Sequence, residues 1–183
     1  MSAASGVTGA LAGQIAKQHG CRVVGITGSA EKSAWLTGEL GFDAAVVRGD
    51  GDLPGALRAA CPDGIDVYFD NVGGTVLDAA LENMALFGRV AVCGLLANYD
   101  RTGPYKFDQI LMKRLTMTGF FSPDFYHRGP DINRRLLPWY AGGALKMAFD
   151  VTQGLENTLA AYTKLFTGGK LGKALVQVSE ATE

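Results

Sequence analysis

The chain has 183 residues, 48% of them hydrophobic, which suits one domain with a buried core rather than a disordered segment. Lysine and arginine number 17 against 18 aspartate and glutamate residues, so no excess positive charge favours nucleic acid or an anionic membrane as partner. No apolar run approaches the roughly 18 residues of a membrane span, and no signal-peptide pattern opens the chain. We therefore expect a cytoplasmic protein that binds a small molecule or another protein chain.

The first nine residues have the features of a phosphate-binding loop. Small residues at Ala4, Gly6 and Gly9 follow the spacing of a GxGxxG turn, with alanine in place of the first glycine. Apolar residues then recur at helical spacing over 10–17, and a helix beginning there would present free N–H groups to a diphosphate. A tight turn with a purely structural role fits the same pattern. A nucleotide fold carries such a loop on a buried first strand, and only Met1 precedes it, so we expect that strand to be truncated.

Strands and helices then alternate along the chain. Short runs rich in valine and isoleucine end in turns, and segments with helical spacing of apolar residues separate them. Single helices between strands require right-handed crossovers and a parallel sheet covered on both faces. We therefore predict an α/β protein with a Rossmann-like, doubly wound parallel sheet. The strands are predicted over 21–26, 44–47, 65–69 and 88–93, and the intervening helices over 30–40, 53–60 and 76–84.

The later part of the chain is less regular, and we expect a C-terminal appendage that need not belong to the parallel sheet. Pro138 lies within a helical pattern over 132–140, and it is expected to kink that helix or to end it early. The other elements predicted here are a helix over 107–113, a strand over 115–121, a strand over 147–151, a helix over 155–166 and a strand over 174–178.

The end of the strand over 21–26 bears on which nucleotide the loop would bind. An NAD-selective site usually has Asp or Glu at this point to hold the ribose hydroxyls, whereas Thr27, Gly28 and Ser29 supply no carboxylate. A 2′-phosphate would therefore meet no charge repulsion from the strand tip, and Glu31 is the one acid nearby. Lys32 stands one helical turn away and Ser29 can donate a hydrogen bond. The alternative is that Ser29 only caps the next helix and Lys32 is a solvated helix residue.

Two further loops follow predicted strands and should lie at the same edge of the sheet. They are 70–74, with two consecutive glycines, and the Cys93–Gly94 pair. Asn71 could present its amide to a ribose or to a nicotinamide, or the loop could be a turn that needs positive φ. Cys93 is expected to be a small buried hydrophobe, because no histidine lies near it in the sequence to activate the thiol.

The remaining cysteines and histidines predict no metal site. The three cysteines, Cys21, Cys61 and Cys93, are widely spaced and form no CxxC pair. The two histidines, His19 and His127, have no ligand or triad spacing around them, so we expect both to face solvent.

Taken together, several segments resemble the zinc-independent medium-chain dehydrogenase/reductases, in particular the leukotriene B4 12-hydroxydehydrogenase, prostaglandin reductase and 2-alkenal or curcumin reductase group. The resemblance covers nearly the whole chain. It implies an NADPH-dependent oxidoreductase that delivers a hydride to the β-carbon of an α,β-unsaturated ketone or aldehyde. The segments that carry it are AASGVTG at 3–9, GCRVVG at 20–25, GSAEK at 28–32, LGFD at 40–43, DVYFDNVGG at 66–74, VCG at 92–94, GLEN at 154–157 and GKA at 172–174.

The resemblance also implies roles for individual residues. The loop 6–9 would hold the diphosphate of NADP(H), Lys32 would contact the 2′-phosphate, and Asn71 would contact the ribose or nicotinamide. Tyr99 is a candidate proton-relay group, because an enolate can be stabilised by cofactor hydroxyls and a nearby phenol. The full set of implied NADP(H) contacts is Ser5, Gly6, Val7, Thr8, Gly9, Gly28, Ser29, Lys32, Arg48, Asn71, Cys93, Gly94, Leu95, Tyr99, Phe120, Phe121, Ser122 and Lys170.

The sequence departs from the family pattern in three ways. Arg48 stands where the family often has tyrosine, and it could bind the adenosine phosphate more strongly or simply lose a stacking ring. Lys170 stands where the family has an asparagine that contacts the cofactor. The resemblance also implies an N-terminal GroES-like domain, which we expect this chain to lack: residues 1–142 are expected to form the dinucleotide-binding domain and 143–183 a segment that would complete the missing domain.

These departures leave more than one function open. The leading expectation is the NADP(H)-binding domain of an enone or alkenal reductase, weak or inactive as an isolated chain because substrate positioning and water exclusion need the missing domain. The alternatives are a catalytically silent nucleotide-binding or assembly module and a quinone-reductase-type member. A homodimer through the nucleotide-binding sheet is also expected, with the strand over 115–121 as its candidate edge.

Overall fold

The computed structural model describes residues 1–49, 51–96, 106–167 and 169–179. Its first part alternates helices and strands as the sequence predicts. The elements are α1 Val7–Gln18, β1 Val24–Thr27, α2 Ala30–Gly38, β2 Ala44–Val47, α3 Leu53–Ala60, β3 Ile65–Asp70, α4 Gly74–Glu82, β4 Met84–Val92, α5 Phe107–Lys113 and β5 Thr116–Gly119. After a 3₁₀ helix over Ser122–Arg128 come α6 Gly129–Ala141, β6 Phe149–Gln153, a 3₁₀ turn Leu155–Asn157, α7 Thr158–Thr167 and β7 Lys173–Gln177.

All strand pairs are parallel in the part of the chain that the structure describes. β1 pairs with β2, and β4 lies between β3 and β5. The Rossmann-like parallel architecture predicted from the sequence is therefore confirmed. In this strand order, β5 is the edge strand of its three-stranded sheet, which is the position expected for the strand predicted over 115–121.

Residues 1–4, which we call the N-terminal segment, lie between β1 and β3 and bond to both. The amide of Ile26 donates to Met1 O at 2.9 Å, and the amide of Ser2 donates to Phe69 O at 3.1 Å. On the β1 side, the amide of Ala4 also donates to Ile26 O at 3.1 Å. The N-terminal segment thus occupies the position of a strand between β1 and β3, and it leads directly into α1.

Two apolar clusters form the core. The larger one surrounds Ile26, Tyr68 and Val90, the centres of three parallel strands. The smaller one packs α1 and α2 around Phe42, which is 3% exposed. A Cβ atom on Gly13 would lie 2.0 Å from the Phe42 ring, so glycine at this position lets α1 approach the sheet closely.

The C-terminal elements pack back onto α1. β6 and β7 form a separate two-stranded parallel sheet, and Gly172 just before β7 forms a bridge with Gly6. The side chain of Gln14 accepts from Lys146 N at 2.7 Å and donates to Lys146 O at 3.0 Å. The C-terminal elements are therefore held against the opening loop and helix, although their strands stay outside the main sheet.

Several helices differ from the sequence-based prediction. α4 runs over Gly74–Glu82, and Met84, predicted at its end, instead begins β4. α6 continues through Pro138 to Ala141, so the expectation that it ends early is wrong. The helix has no buried residue, and water can therefore satisfy the carbonyl that the proline leaves without a donor. The predicted helix over 155–166 begins as a 3₁₀ turn and becomes α-helical only at Thr158. Among the described residues, no helix is both long and apolar enough to cross a membrane.

Candidate nucleotide-binding site

The opening loop delivers the first turn of α1 to the carboxyl edge of the sheet. Gly6 is the N-cap residue, in an extended conformation and without a side-chain capping bond. The N–H groups of the first helical turn therefore have no helical carbonyl partner, and the helix dipole adds a partial positive charge there. Val7 is half-buried and Thr8 is exposed, so an anion can reach this turn.

The glycines of this loop are required by close packing. A Cβ atom on Gly9 would lie 2.6 Å from Ala3 O and 2.8 Å from the Cα atom of Ala4. On Gly6 it would lie 3.3 Å from the same carbonyl oxygen. Ala4 is itself fully buried. The small residues at 4, 6 and 9 therefore let α1 start directly above the N-terminal segment.

Cationic and hydroxyl groups gather at the ends of β1 and β2. Ser29 caps α2, since its Oγ accepts from Lys32 N at 3.4 Å, which confirms the capping interpretation for Ser29. Arg48 follows β2, and its Nε would lie 4.0 Å from a Cβ atom on Gly28. The backbones are joined as well, because Arg48 N donates to Thr27 O at 2.8 Å. Lys32 and Arg48 therefore flank the end of β1, where no carboxylate stands.

Lys170 brings a further positive charge to the opening loop from the C-terminal elements. Its Nζ donates to Gly172 O at 3.2 Å, and Gly172 N donates to Ser5 O at 3.0 Å. Burial lowers the pKa of Lys170, and the nearby charges of Lys173 and Lys32 lower it further. Because positive groups converge on this region, a bound anion would relieve their mutual repulsion.

A cavity of about 260 Å³ opens beside the first turn of α1. Val7 contributes from the loop, and Lys170 and Lys173 contribute from the C-terminal elements. The rest of its lining comes from α7 and β7 and is largely apolar. The sequence patterns did not predict this cavity, because it depends on how β7 docks beside Gly6.

The loops after β3 and β4 are tied to each other on the other side of the N-terminal segment. The amides of Cys93 and Gly94 both donate to Asp70 O, at 2.8 and 3.0 Å. A Cβ atom on Gly94 would lie 3.0 Å from Asn71 O, so the two loops touch through backbone. Cys93 is half-buried, so the expectation that it is a buried residue is wrong. Partial burial and the charge of Asp70 raise the pKa of its thiol, which disfavours a nucleophilic role.

An aromatic group follows β5 at the same edge of the sheet. The ring of Phe120 lies 5.9 Å from that of Phe69 and 6.4 Å from that of Phe125, centroid to centroid. Phe121 is 67% exposed and Ser122 opens the 3₁₀ helix that follows. Leu95, beyond β4, is 46% exposed. This end of the site is therefore apolar, in contrast to the cationic end at β1 and β2.

The predicted site residues thus fall into three neighbouring groups. The opening loop 5–9 is central, the polar group of Gly28, Ser29, Lys32 and Arg48 lies to one side, and the ends of β3, β4 and β5 lie to the other. Lys170 joins the central loop. Tyr99 lies outside the described residues.

The sequence did not single out Ser2, which proves to be a fully buried polar residue with several hydrogen bonds near the site. Its hydroxyl and backbone bond to Asp70 and Asn71, more than 65 positions away in the sequence. A small polar residue within an otherwise apolar, strand-like opening is the only local signal of this role. The partner residues could be identified only after the topology had placed β3 beside the N-terminal segment.

Comparisons with known proteins agree with this geometry. The 2-alkenal reductase (NADP(+)-dependent) of Nicotiana tabacum is 44% identical over 183 residues, covering 98% of this chain and 53% of the relative. Prostaglandin reductase 1 of Bos taurus is 41% identical, covering 97% of this chain and 55% of the relative. The crystal structure of CurA from Vibrio vulnificus in complex with NADPH superposes with a TM-score of 0.90 at 36% identity, covering 98% of this chain and 56% of that one.

These relatives confirm the resemblance seen in the sequence. The chain spans about half the length of the curated relatives it matches. A family model described as "Zinc-binding dehydrogenase" matches residues 7–141, from the first turn of α1 to the end of α6. The chain therefore belongs to the zinc-binding dehydrogenase family.

Proposed function

We propose that this chain is the NADP(H)-binding part of an oxidoreductase that reduces the C=C bond of α,β-unsaturated ketones or aldehydes. The observation that carries the proposal is the pairing of an uncapped helix N-terminus with Lys32 and Arg48 at a strand end that lacks a carboxylate. The names of the relatives, among them an NADP(+)-dependent 2-alkenal reductase, support both the cofactor and the substrate class.

The two ends of the site suit the two halves of NADPH. The diphosphate fits the first turn of α1, where N–H groups, the helix dipole and Lys170 offer positive charge. The 2′-phosphate fits beside Lys32 and Arg48, since a dianionic group gains from two cations and Thr27, Gly28 and Ser29 supply no carboxylate; Glu31, in the first turn of α2, is the one acid nearby. The nicotinamide half then extends over the ends of β3, β4 and β5.

The apolar end supplies the setting that hydride transfer needs. NADPH, when bound, supplies the hydride that adds to the β-carbon of the enone. Phe120, Leu95 and the protonated thiol of Cys93 would exclude water from the reacting face. Tyr99, outside the described residues, stays the predicted group for stabilising the enolate oxygen or relaying the proton.

The residues present do not fit a catalytic zinc ion, despite the printed description of the family model. Zinc is held by clustered His, Cys, Asp or Glu side chains. No three such side chains lie close enough to hold a metal ion in the part of the chain that the structure describes. We therefore derive no step through zinc.

The chain spans only about half the length of its curated relatives, so the reductase activity of the whole protein is proposed here and not shown. We propose that residues 143–183 complete a GroES-like domain that covers the nicotinamide, and that the isolated chain binds cofactor better than it catalyses. We also propose a homodimer through the open edge of β5, a position that favours strand pairing between two copies.

The proposed function is tested by measuring dissociation constants for NADPH and NADH. Lys32→Ala should remove most of the preference for NADPH, because it deletes one of the two cations at the 2′-phosphate. Arg58→Ala is the matched control: it removes one exposed positive charge from the last turn of α3, which follows β2 and ends at the opposite edge of the sheet. A Lys32→Ala variant that keeps the full preference for NADPH would refute the assignment of Lys32.

A further inference from the structure

Ser2 is the centre of a buried polar network that joins the N-terminal segment to the loop after β3. The residue is fully buried, and its Oγ donates to Asp70 Oδ1 at 2.9 Å and accepts from Asn71 N at 2.7 Å. Its carbonyl oxygen accepts from Asn71 Nδ2 at 2.8 Å. Because a buried polar group without a partner is costly, these bonds hold one arrangement against alternatives.

Asp70 extends the network through the turn that precedes α4. It is fully buried, and Oδ1 also accepts from the amides of Val72 and Gly73, each at 3.1 Å. Gly73 has φ 70° and ψ −156°, a conformation that only glycine adopts readily. The shape of the loop 71–74 therefore depends on a carboxylate whose own position is fixed by the Ser2 hydroxyl.

The backbone carbonyl of Ser2 sets the orientation of the Asn71 side chain, while the Ser2 hydroxyl holds the Asn71 backbone amide in place. With Nδ2 directed at Ser2 O, the carbonyl oxygen Oδ1 points away from the N-terminal segment. Asn71 is 8% exposed, so its side chain has little freedom to turn. The oxygen is thereby available to accept a hydrogen bond from a ligand at the carboxyl edge of β3.

The strand order indicates which part of a dinucleotide Asn71 would meet. The N-terminal segment separates β1 and β2 from β3, and Lys32 and Arg48 lie on the β1 and β2 side. A cofactor whose 2′-phosphate lies there and whose diphosphate lies at α1 has its nicotinamide ribose over β3. Ser2 itself is fully buried beneath the loop and would not touch it.

Resting on the proposed function, we propose that Ser2 is a positioning residue for the nicotinamide half of NADP(H): it holds Asn71 so that Oδ1 accepts from a ribose hydroxyl. Ser2 acts on the cofactor only through Asn71 and the Asp70 turn. Its contribution is therefore confined to ligands that carry the nicotinamide ribose.

The test compares two ligands by titration calorimetry: NADPH, and adenosine 2′,5′-bisphosphate, which lacks the nicotinamide half. Ser2→Ala removes both Oγ bonds, to Asp70 and to the Asn71 amide, and so lets the loop that carries Asn71 shift. It should weaken NADPH binding about tenfold, the loss of one hydrogen bond between Asn71 and the ribose, and should change bisphosphate binding less than about twofold. In an Asn71→Ala background, Ser2→Ala should cause no further loss of NADPH affinity. Thr37→Ala is the control, because it removes an exposed hydroxyl that bonds only within α2.

If Ser2 had a purely structural role, Ser2→Ala would weaken the binding of both ligands equally, because the N-terminal segment also supports the opening loop. Equal weakening, no weakening, or full additivity with Asn71→Ala would overturn the inference. If Ser2→Ala does not fold, Asp70→Asn tests the same network at nearly unchanged side-chain size. It should likewise weaken the binding of NADPH and leave the binding of the bisphosphate nearly unchanged. If the native chain binds neither NADPH nor the bisphosphate, the proposed function is overturned, and the role of Ser2 with it. If the native chain binds NADPH but Ser2→Ala weakens both ligands equally, only the role of Ser2 is overturned.

Discussion

The amide of Gly172 donates a hydrogen bond to the carbonyl of Ser5 at 3.0 Å, which fastens the C-terminal elements to the opening loop. Gly172 has φ 71°, and a Cβ atom there would lie 2.1 Å from Ala148 O. Gly172→Ala must therefore displace β7 from the loop. We expect a loss of stability of about 2–4 kcal/mol, from the strained φ and the backbone clash, measured by urea unfolding.

Gly143→Ala separates these two contributions. Gly143 also has a positive φ, 75°, but no atom lies within 4 Å of its Cβ position. This variant should lose only about 1 kcal/mol, the cost of the left-handed conformation. Equal losses for the two variants would show that the contact between Gly172 and Ala148 does not matter.

A second pair of glycine variants tests the packing of the opening loop. Gly9→Ala would place its Cβ 2.6 Å from Ala3 O and push the first turn of α1 away from the N-terminal segment. We expect weaker NADPH binding by at least about tenfold, since phosphate contacts depend on that turn. Gly38→Ala, in α2 with no atom within 4 Å, should retain affinity and gain stability of a few tenths to about 1 kcal/mol. Unchanged binding by Gly9→Ala would show that the turn is not part of the site.

The terminal ammonium of Met1 should make stability depend on pH in the 183-residue chain with a free amino terminus. It donates to Val24 O at 2.8 Å, and burial lowers its pKa from 8.0 to about 6. The unfolded chain therefore binds this proton more tightly than the folded chain, so protonation favours unfolding. With respect to this group, the free energy of unfolding is highest above pH 8, where the amine is neutral in both states, and it decreases as the pH falls from 8 to about 6.

Acetylation of Met1 provides the control, because it removes the titrating group. The acetylated chain should gain stability over the free chain by up to about 2–3 kcal/mol at pH 6, a difference that shrinks towards pH 8. Chemical unfolding at pH 6 and pH 8 measures this difference. A difference independent of pH would contradict the lowered pKa of the ammonium.

Lys170 should strengthen cofactor binding by charge and not by shape. Lys170→Asn, which removes the charge and keeps a polar side chain, should weaken NADPH binding severalfold at low salt and reduce the dependence of affinity on salt concentration. The physical reason is the loss of a half-buried cation beside the loop that would hold the diphosphate. Arg58→Gln serves as the control for net charge. The assignment fails if native and Lys170→Asn chains show the same salt dependence.

Much of the fold could be predicted because β1, β2 and β3 are short, largely apolar and each followed by a helix. The helices α3 and α5 match their predicted bounds, Leu53–Ala60 and Phe107–Lys113. β1 begins at Val24, three residues later than predicted, because Cys21 and Arg22 are exposed and do not pair with β2. The local hydrophobic pattern thus predicts which helices and strands form, whereas burial in the folded chain decides at which residues they begin and end.

The candidate site was predictable where it depends on loops at the ends of parallel strands, as for Asn71 and Gly94. It was not predictable where distant segments meet. Ser2 and Asp70 are 68 positions apart, and neither residue type in isolation suggests a buried pair. The bridge between Gly6 and Gly172 likewise depends on the docking of the C-terminal elements, which no periodicity records.

The most direct test of the proposed NADP(H) site is a side-by-side calorimetric titration of the native chain with NADPH and with NADH. Lys32 and Arg48 flank a strand end without a carboxylate, so the 2′-phosphate should add at least about 1.4 kcal/mol, or a tenfold gain in affinity. We predict that NADPH binds at least about ten times more tightly than NADH. Equal affinities, or tighter binding of NADH, would contradict the account.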